Sequence, residues 1–136
     1  MTLTDTGPLI ALIDKNDADH ASCIAAARNL RPPLVTTWPC FTETMYFLGK
    51  SGGLAFQQEL WRWRLNGKLR ILELTTEQAD RMQILMDQYR DAPMDLADAS
   101  LVAVAETLSL RTVFTIDRHF YAYRTADKQA FQVVPS

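Results

Sequence analysis

Short strand-like runs alternate with helix-length segments along the chain, and this alternation restricts the fold more than any other feature of the sequence. The strand-like runs are residues 1–4, 33–37, 69–74, 112–117 and 131–134. Strands that alternate with helices favour a parallel sheet with helices on both faces, connected by right-handed crossovers. The sequence therefore predicts an α/β fold with three layers, α/β/α, around a central parallel sheet of four to five strands.

The helical segments have recognisable boundaries. They cover residues 7–30 in two pieces, 38–49, 54–65, about 76–89 and 96–110. The Ser-Gly-Gly triplet at residues 51–53 is expected to break the helical run that contains it, and Thr75 or Thr76 is expected to cap the helix that follows the third strand. The last segment is apolar on most of its faces, which predicts a buried helix.

Composition limits the function classes that the chain can serve. Its 136 residues fit one domain spanning residues 1–136, and 48% of them are apolar. The net charge of −2 argues against a protein that holds nucleic acid by bulk charge alone. It does not exclude a nuclease, because metal ions supply local positive charge at an acidic site.

The sequence shows no targeting or membrane signal. All apolar stretches are shorter than the ~18 residues that a membrane-spanning helix needs. No basic region precedes an apolar run at the amino terminus, so we predict no signal peptide, no membrane association and a cytoplasmic location. Cys23 and Cys40 lie in no CxxC or Cys/His spacing, and we expect buried thiols in a reducing compartment rather than a disulfide or a zinc site.

Four acidic residues occupy positions where an α/β fold binds ligands. Asp5 and Asp117 each close a strand-like run, whereas Glu43 and Asp98 lie near the start of helical segments. A lone acid at such a position is usually a cap or a turn former, but the carboxyl ends of parallel strands and the following helix starts share one edge of the sheet. Carboxylates that converge there repel one another unless a cation lies among them, and they suit Mg²⁺ or Mn²⁺. We therefore predict that these four residues form a metal-binding, catalytic site for phosphate esters.

Three neighbours of these acids are candidate accessory residues. Asp95 lies three residues before Asp98 and is favoured as a helix cap, with a further carboxylate at the rim of the site as the alternative. Thr115 lies two residues before Asp117, so both side chains would point the same way in a strand; Thr115 either positions a water or phosphate or is an ordinary strand residue. Thr6 follows the first acid directly and is expected to hydrogen-bond at the site.

Two aromatic segments have open interpretations. His119 either touches substrate or belongs, with Phe120, Tyr121 and Tyr123, to a surface aromatic loop. Residues 61–64, Trp-Arg-Trp-Arg, either stack nucleobases or place both Trp side chains in the core or a subunit contact while both Arg stay solvated. The second interpretation of that run is favoured.

The motifs, taken in order, resemble those of PIN-domain ribonucleases. The matching segments are residues 3–12, 36–43, 93–103 and 113–120, and together they extend over nearly the whole chain. As a set they are similar to the VapC-like toxins of type II toxin–antitoxin systems. Asp5, Glu43, Asp98 and Asp117 match the acidic quartet of that family residue for residue.

The resemblance implies an activity and partners. It implies an acidic site that binds Mg²⁺ or Mn²⁺ and cleaves RNA, a homodimer, and an antitoxin protein that holds the enzyme inactive. Several large apolar residues exceed what one small core needs, and we expect some of them to line the dimer face and a groove for the antitoxin. They are Phe41, Met45, Tyr46, Phe47, Phe56, Trp61 and Trp63.

The predicted function is therefore a metal-dependent endoribonuclease that hydrolyses RNA phosphodiester bonds, the toxin of a VapBC-type pair. The alternatives are a non-toxin PIN-domain nuclease and a catalytically silent module that binds nucleic acid or a partner, although all four acids are present. A response-regulator receiver would need an Asp after the third strand, where the chain has Leu74-Thr75. A phosphatase of the haloacid dehalogenase type would need a second Asp at the position of Gly7.

Overall fold

The computed structural model describes residues 1–136, and a five-stranded parallel sheet runs through its middle. The strands are β1 (Thr2–Thr4), β2 (Leu34–Thr37), β3 (Leu69–Leu72), β4 (Thr112–Phe114) and β5 (Gln132–Val134). Their order is β3-β2-β1-β4-β5, so β1 is the central strand and lies between β2 and β4. The chain therefore switches direction across the sheet beside β1, the position where α/β sheets bind ligands at the carboxyl ends of their strands.

Five α-helices cover the two faces of the sheet. They are α1 (Thr6–Ile13), α2 (His20–Ala27), α3 (Trp38–Leu65), α4 (Thr76–Gln88) and α5 (Leu96–Leu108), and a 3₁₀ helix spans Arg118–Tyr121. Helices α1, α2 and α3 share one apolar core, and α4 and α5 share the other. The predicted three-layer α/β/α fold is confirmed. None of the helices is both long and apolar enough to cross a lipid bilayer.

The two cores meet opposite faces of the same strands because side chains alternate along a strand. In β4, Val113 packs on the α5 side and Phe114 packs on the α1 and α3 side. In β2, Val35 packs on the α5 side and Leu34 packs on the α1 and α3 side. The central strands are thus buried on both faces, which is typical of a parallel sheet.

The predicted helix break at residues 51–53 is confirmed, since the helical run α3 divides into two halves at Gly53. Gly53 has φ 67° and ψ −154°, a backbone conformation that side chains other than glycine rarely adopt. The chain reverses there, so the first and last turns of α3 come together: Phe41 contacts Trp61 edge to face, with ring centroids 4.9 Å apart. All five strands are shorter than predicted: β1, β2 and β5 each begin one residue later, β3 ends at Leu72 and β4 ends at Phe114.

Of the two interpretations left open for the segment after β4, the surface aromatic loop is wrong for two of its three aromatic members. Phe120 and Tyr123 are fully buried, and only Tyr121 is exposed. The rings of Phe120 and Tyr123 pack edge to face with centroids 5.0 Å apart, and Phe120 packs in the same way on Phe131 at 5.8 Å. Burial of these large rings packs the chain after β4 against the sheet.

The Trp-Arg-Trp-Arg run agrees with the favoured interpretation for Trp63 and for both arginines, which are exposed, and the subunit contact of Trp61 stays a prediction. Trp63 is buried in the α3 core, but Trp61 is 43% exposed. Cys23 and Cys40 are both buried free thiols, as predicted.

Candidate active site at the carboxyl edge of the sheet

Three aspartates converge where the two central strands end. Asp5 follows β1 directly, Asp117 lies just beyond β4, and Asp98 is in the first turn of α5. One carboxylate oxygen from each lies within 4.8 Å of the others. The parallel pairing of β1 with β4 brings the first two together, and the amino-terminal end of α5 places the third against them.

All three aspartates lie at helix starts: two are caps, and Asp98 lies in the first turn of α5. Asp5 caps α1, with its Oδ1 accepting from the Thr6 N–H at 2.8 Å, and Asp117 caps the 3₁₀ helix, with its Oδ1 accepting from the His119 N–H at 2.9 Å. Asp95 caps α5, as predicted, by accepting from the Asp98 N–H at 2.8 Å. The helix starts direct partial positive charge toward the carboxylates, which offsets part of their repulsion.

Thr115 connects two of the three aspartates. Its hydroxyl donates to Asp5 Oδ2 at 2.8 Å and accepts from the Asp117 N–H at 2.9 Å. The strand geometry predicted for this pair is wrong, because β4 ends at Phe114 and the hydroxyl bonds to the backbone two residues on, which turns the chain. Thr115 is fully buried, so its hydroxyl orients the carboxylates rather than standing free for a substrate.

Tyr123 holds the third aspartate, and sequence reasoning missed it. Its phenol O–H donates to Asp98 Oδ2 at 3.1 Å, and the Asp95 N–H reaches the same oxygen at 3.4 Å. No protein donor reaches Oδ1 of Asp98. Every buried side-chain oxygen of the protein has a hydrogen-bond partner, so Oδ1 of Asp98, which has none, is not buried and is open to the cavity. The one signal in the sequence for this role of Tyr123 is that the residue belongs to an aromatic segment, which the core needs.

Glu43 belongs to the same cavity but not to the close group. A cavity of about 330 Å³ is lined by Glu43 together with all three aspartates. Thr6 and Asp95 also line it, with Gly7, Ile10, Phe47 and Ile116. All four acids predicted from the sequence therefore face one space, with Glu43 on its wall. A larger cleft of about 780 Å³ lies between the two termini and is lined by no acidic side chain.

The electrostatics of the group favour a bound cation. Burial raises the pKa of Asp5 from 3.8 to about 6, although the hydrogen bonds from Thr115 and Thr6 act in the opposite direction. Burial raises the pKa of Asp98 as well, and the negative charges of Asp5, Asp95 and Asp117 raise it further. No lysine or arginine lines the cavity. Clustered, desolvated carboxylate oxygens without a basic partner are the donor set that a hard divalent ion prefers, so these residues fit such an ion.

These raised pKa values predict how stability without metal depends on pH. An acid whose pKa is raised by folding binds more protons in the folded state, so its contribution to stability is complete below the unfolded pKa and is lost as pH rises through the folded pKa. For Asp5 that window runs from about 3.8 to about 6, and for Asp98 it extends higher. We expect the free energy of unfolding in EDTA, measured with urea, to fall between pH 4 and pH 8, with about 2 to 3 kcal/mol of the loss coming from Asp5 alone.

Two variants test the cause of that pH dependence. Asp5→Asn keeps the cap on α1 and removes one charge from the group, so its stability should vary less with pH. Asp91→Asn changes an exposed aspartate outside the cavity and should keep the full dependence. Equal pH profiles for both variants would show that titration of Asp5 is not a source of the pH dependence.

Two further titratable side chains contact the aspartates. Burial, followed by the charge of Asp5, raises the pKa of Cys40, so the thiol stays protonated; its Sγ lies 3.9 Å from Asp5 Oδ1. The His119 ring approaches Asp117 Oδ1 with its Nδ1 at 2.8 Å. The His119 side chain is 52% exposed and lies on the solvent side of Asp117, outside the lining of the cavity.

Fold and site together define an α/β protein with a carboxylate site suited to a divalent cation. The chain belongs to the PIN-domain family, whose model matches residues 2–126. It is similar to Ribonuclease VapC26 of Mycobacterium tuberculosis, with 25% identity over 134 residues that cover 98% of this chain and 99% of that protein.

Solved structures share the fold. The crystal structure of Mycobacterium tuberculosis VapC20, described as a sarcin-ricin loop cleaving toxin, has a TM-score of 0.83 at 20% identity and covers 90% of this chain and 94% of its own. A toxin–antitoxin complex from Klebsiella pneumoniae has a TM-score of 0.67 at 22% identity, covering 88% of this chain and 90% of the other.

Proposed function

We propose that this chain is a metal-dependent endoribonuclease that hydrolyses RNA phosphodiester bonds and is the toxin of a VapBC-type toxin–antitoxin pair. The observation that carries the proposal is the group of Asp5, Asp98 and Asp117 oxygens within 4.8 Å of one another, in a chain of the PIN-domain family. The similarity to Ribonuclease VapC26 along nearly its full length supports the reaction and the substrate class.

Asp5, Asp98 and Asp117 are the residues that would hold the ion, with Glu43 on the cavity wall as a further ligand or a base. Mg²⁺ or Mn²⁺, when bound, would supply positive charge to the scissile phosphate and lower the pKa of a water molecule. Hydrogen bonds from Thr115 and Thr6 hold the carboxylate of Asp5, and one from Tyr123 holds the carboxylate of Asp98, before the substrate arrives.

The proposed hydrolysis uses water as the nucleophile. Water attacks phosphorus and the bond from phosphorus to the 3′-oxygen breaks, which leaves a 5′-phosphate and a 3′-hydroxyl. Glu43 is half-buried and free of any ion pair, so its carboxylate can accept the proton that the water loses. Solvent supplies the proton that the 3′-oxygen takes up.

An antitoxin and a homodimer are proposed as partners. Of the large apolar residues predicted for a partner surface, Phe41 and Trp63 are buried in the core, whereas Tyr46 and Phe47 are exposed. Phe47 also lines the acidic cavity, so an apolar segment of a partner that covers this helix face would reach the site. A basic side chain of that partner could enter the cavity and replace the charge of the metal ion.

Metal removal tests the proposed reaction. Purified protein should cleave RNA in Mg²⁺ or Mn²⁺ and stop when EDTA is added, because three unbalanced carboxylates would repel the phosphate backbone. Product ends should be 5′-phosphate and 3′-hydroxyl when examined by labelling and mass spectrometry. Unchanged cleavage in chelator with 2′,3′-cyclic phosphate products would contradict the proposal.

A further inference from the structure

A row of side chains runs along the first half of α3 and away from the acidic cavity. Residues three or four apart share one face of a helix, so Glu43, Tyr46, Phe47 and Lys50 lie in a row, which we name the α3 stripe. Glu43 and Phe47 line the cavity, so the stripe begins within the acidic site. By the rise of an α-helix, the stripe extends about 10 Å along the axis.

The two aromatic members of the stripe face solvent. Phe47 is 43% exposed and Tyr46 is 57% exposed, and their rings pack edge to face with centroids 5.3 Å apart. The opposite side of this half of the helix already fills the core with Phe41, Thr44 and Leu48, which are buried. The aromatic pair therefore serves no core, and it forms an apolar surface beside the cavity that is available to a ligand.

Apolar side chains from two other elements extend this surface into the cavity. Ile10 of α1 and Ile116, which follows β4, line the cavity together with Phe47. Ile116 is 39% exposed and lies directly over Gly7, where an added Cβ would come within 2.6 Å of the Ile116 side chain. The cavity thus has acidic and apolar parts, so a molecule that brings a phosphate to the aspartates also meets apolar surface.

The far end of the stripe carries a free cation. The Lys50 ammonium lies over the Tyr46 ring, 5.0 Å from its centroid, and it forms no ion pair. No acidic residue occurs between Glu43 and Glu59 in the sequence, and Glu59 already pairs with Arg62. Lys50 therefore attracts an anion to the outer side of the aromatic pair.

The order of groups along the stripe indicates what it binds. A hard divalent ion among the carboxylates would attract an oxyanion at the inner end, and Lys50 attracts a second anion at the outer end. Flat apolar rings lie between these two positions. A single strand of nucleic acid presents phosphate, base and phosphate in this order, and proteins bind such strands by combining aromatic rings with cationic side chains.

We propose that the α3 stripe binds the nucleotide next to the scissile phosphate of single-stranded RNA, with its base stacked on Phe47 beside Tyr46 and its outer phosphate held by Lys50. Every base has a flat face, so this contact holds the strand without selecting one base. The proposal rests on the proposed function, which makes RNA the substrate and the acidic cavity the position of the scissile phosphate.

Binding measured without cleavage tests the stripe. The anisotropy of a fluorescent oligouridylate hexamer is followed in Ca²⁺, which takes oxygen ligands as Mg²⁺ does, and electrophoresis confirms that the probe stays intact. Phe47→Leu should weaken binding about tenfold, because it keeps an apolar side chain and removes the stacking face, whereas Phe47→Trp should bind at least as tightly as the native protein. Lys50→Gln should weaken binding about fivefold near 0.1 M salt and make the logarithmic salt slope shallower by about 0.7.

Two matched variants separate the stripe from a general loss of aromatic surface or charge. Trp61→Leu removes a ring that is also 43% exposed but lies outside the cavity lining, and Lys15→Gln removes an exposed lysine without an ion pair. Both should leave affinity within about twofold, because screening weakens the effect of distant charges. The stripe variants should keep the melting temperature, since their side chains are exposed. Equal losses for Phe47→Leu and Trp61→Leu would overturn the proposal.

Two other results are decisive. If light scattering shows that Phe47→Leu changes the oligomeric state while RNA affinity stays the same, the stripe is a contact between protein copies and the proposal fails. If the protein never cleaves RNA with Mg²⁺ or Mn²⁺ but the stripe variants still lose binding, the nuclease proposal fails and the stripe stands as an RNA-binding surface.

Discussion

Asp98→Asn should lower the rate of RNA cleavage in Mg²⁺ by at least ~10²-fold, the scale on which single catalytic groups act. The substitution keeps the size of the side chain and an oxygen that can accept from Tyr123, but it removes the charge that a metal ion requires. Without metal, the free energy of unfolding should hold or rise, because repulsion from Asp5 and Asp117 is relieved. Cleavage assays in Mg²⁺ and urea unfolding in EDTA measure the two effects.

The opposite directions of these effects distinguish a ligand from a structural residue. A residue that only supports the start of α5 would keep its activity as Asn and would gain no stability, because Asn makes the same hydrogen bonds. Asp91→Asn, at an exposed position outside the cavity, should change neither quantity. An Asp98→Asn protein that is unfolded, or one that cleaves RNA at the normal rate, would show that Asp98 serves the fold alone.

Tyr123→Phe should weaken Mn²⁺ binding and RNA cleavage by about 10- to 100-fold, the usual cost of losing a partner that orients a metal ligand. Burial, followed by the charge of Asp98, raises the pKa of the Tyr123 phenol, which therefore stays protonated and acts only as a donor. Without it, Asp98 Oδ2 retains only the longer bond from the Asp95 N–H. Calorimetric titration with Mn²⁺ reports this loss directly, apart from any effect on substrate.

Stability should change much less than metal affinity. The ring of Tyr123 stays in its packing with Phe120 and Tyr89, and one hydrogen bond contributes about 1 kcal/mol. Tyr121→Phe removes a phenol hydroxyl from an exposed residue nearby and should leave both affinity and rate unchanged. Equal Mn²⁺ affinity for Tyr123→Phe and the native protein would remove the positioning role.

The parallel α/β architecture was predictable because it depends on local patterns. The alternation of strand-like and helical segments is enough to predict a parallel α/β sheet, and acids placed at strand ends and helix starts then share one edge. The Gly53 break and the Thr75 cap were predictable for the same reason, since a positive φ and an N-cap depend on a few neighbouring residues.

Other features depend on contacts between residues far apart in sequence. Tyr123 and Asp98 are 25 residues apart, and only the packing of Phe120 against Phe131 brings the phenol to the carboxylate. The pairing of Trp38 with the last turn of α3 follows from the direction in which the helix reverses at Gly53, which a glycine permits but does not determine.

The sequence by itself thus determined the fold class and which acids lie on the functional edge. Both follow from the periodicity of side chains along strands and helices, which is a short-range property. Only the tertiary structure decided how close those acids come, which of them stands apart and what holds each carboxylate. Distances of a few ångströms at the site depend on how helices pack on the sheet, and that packing is the joint result of side chains from the whole chain.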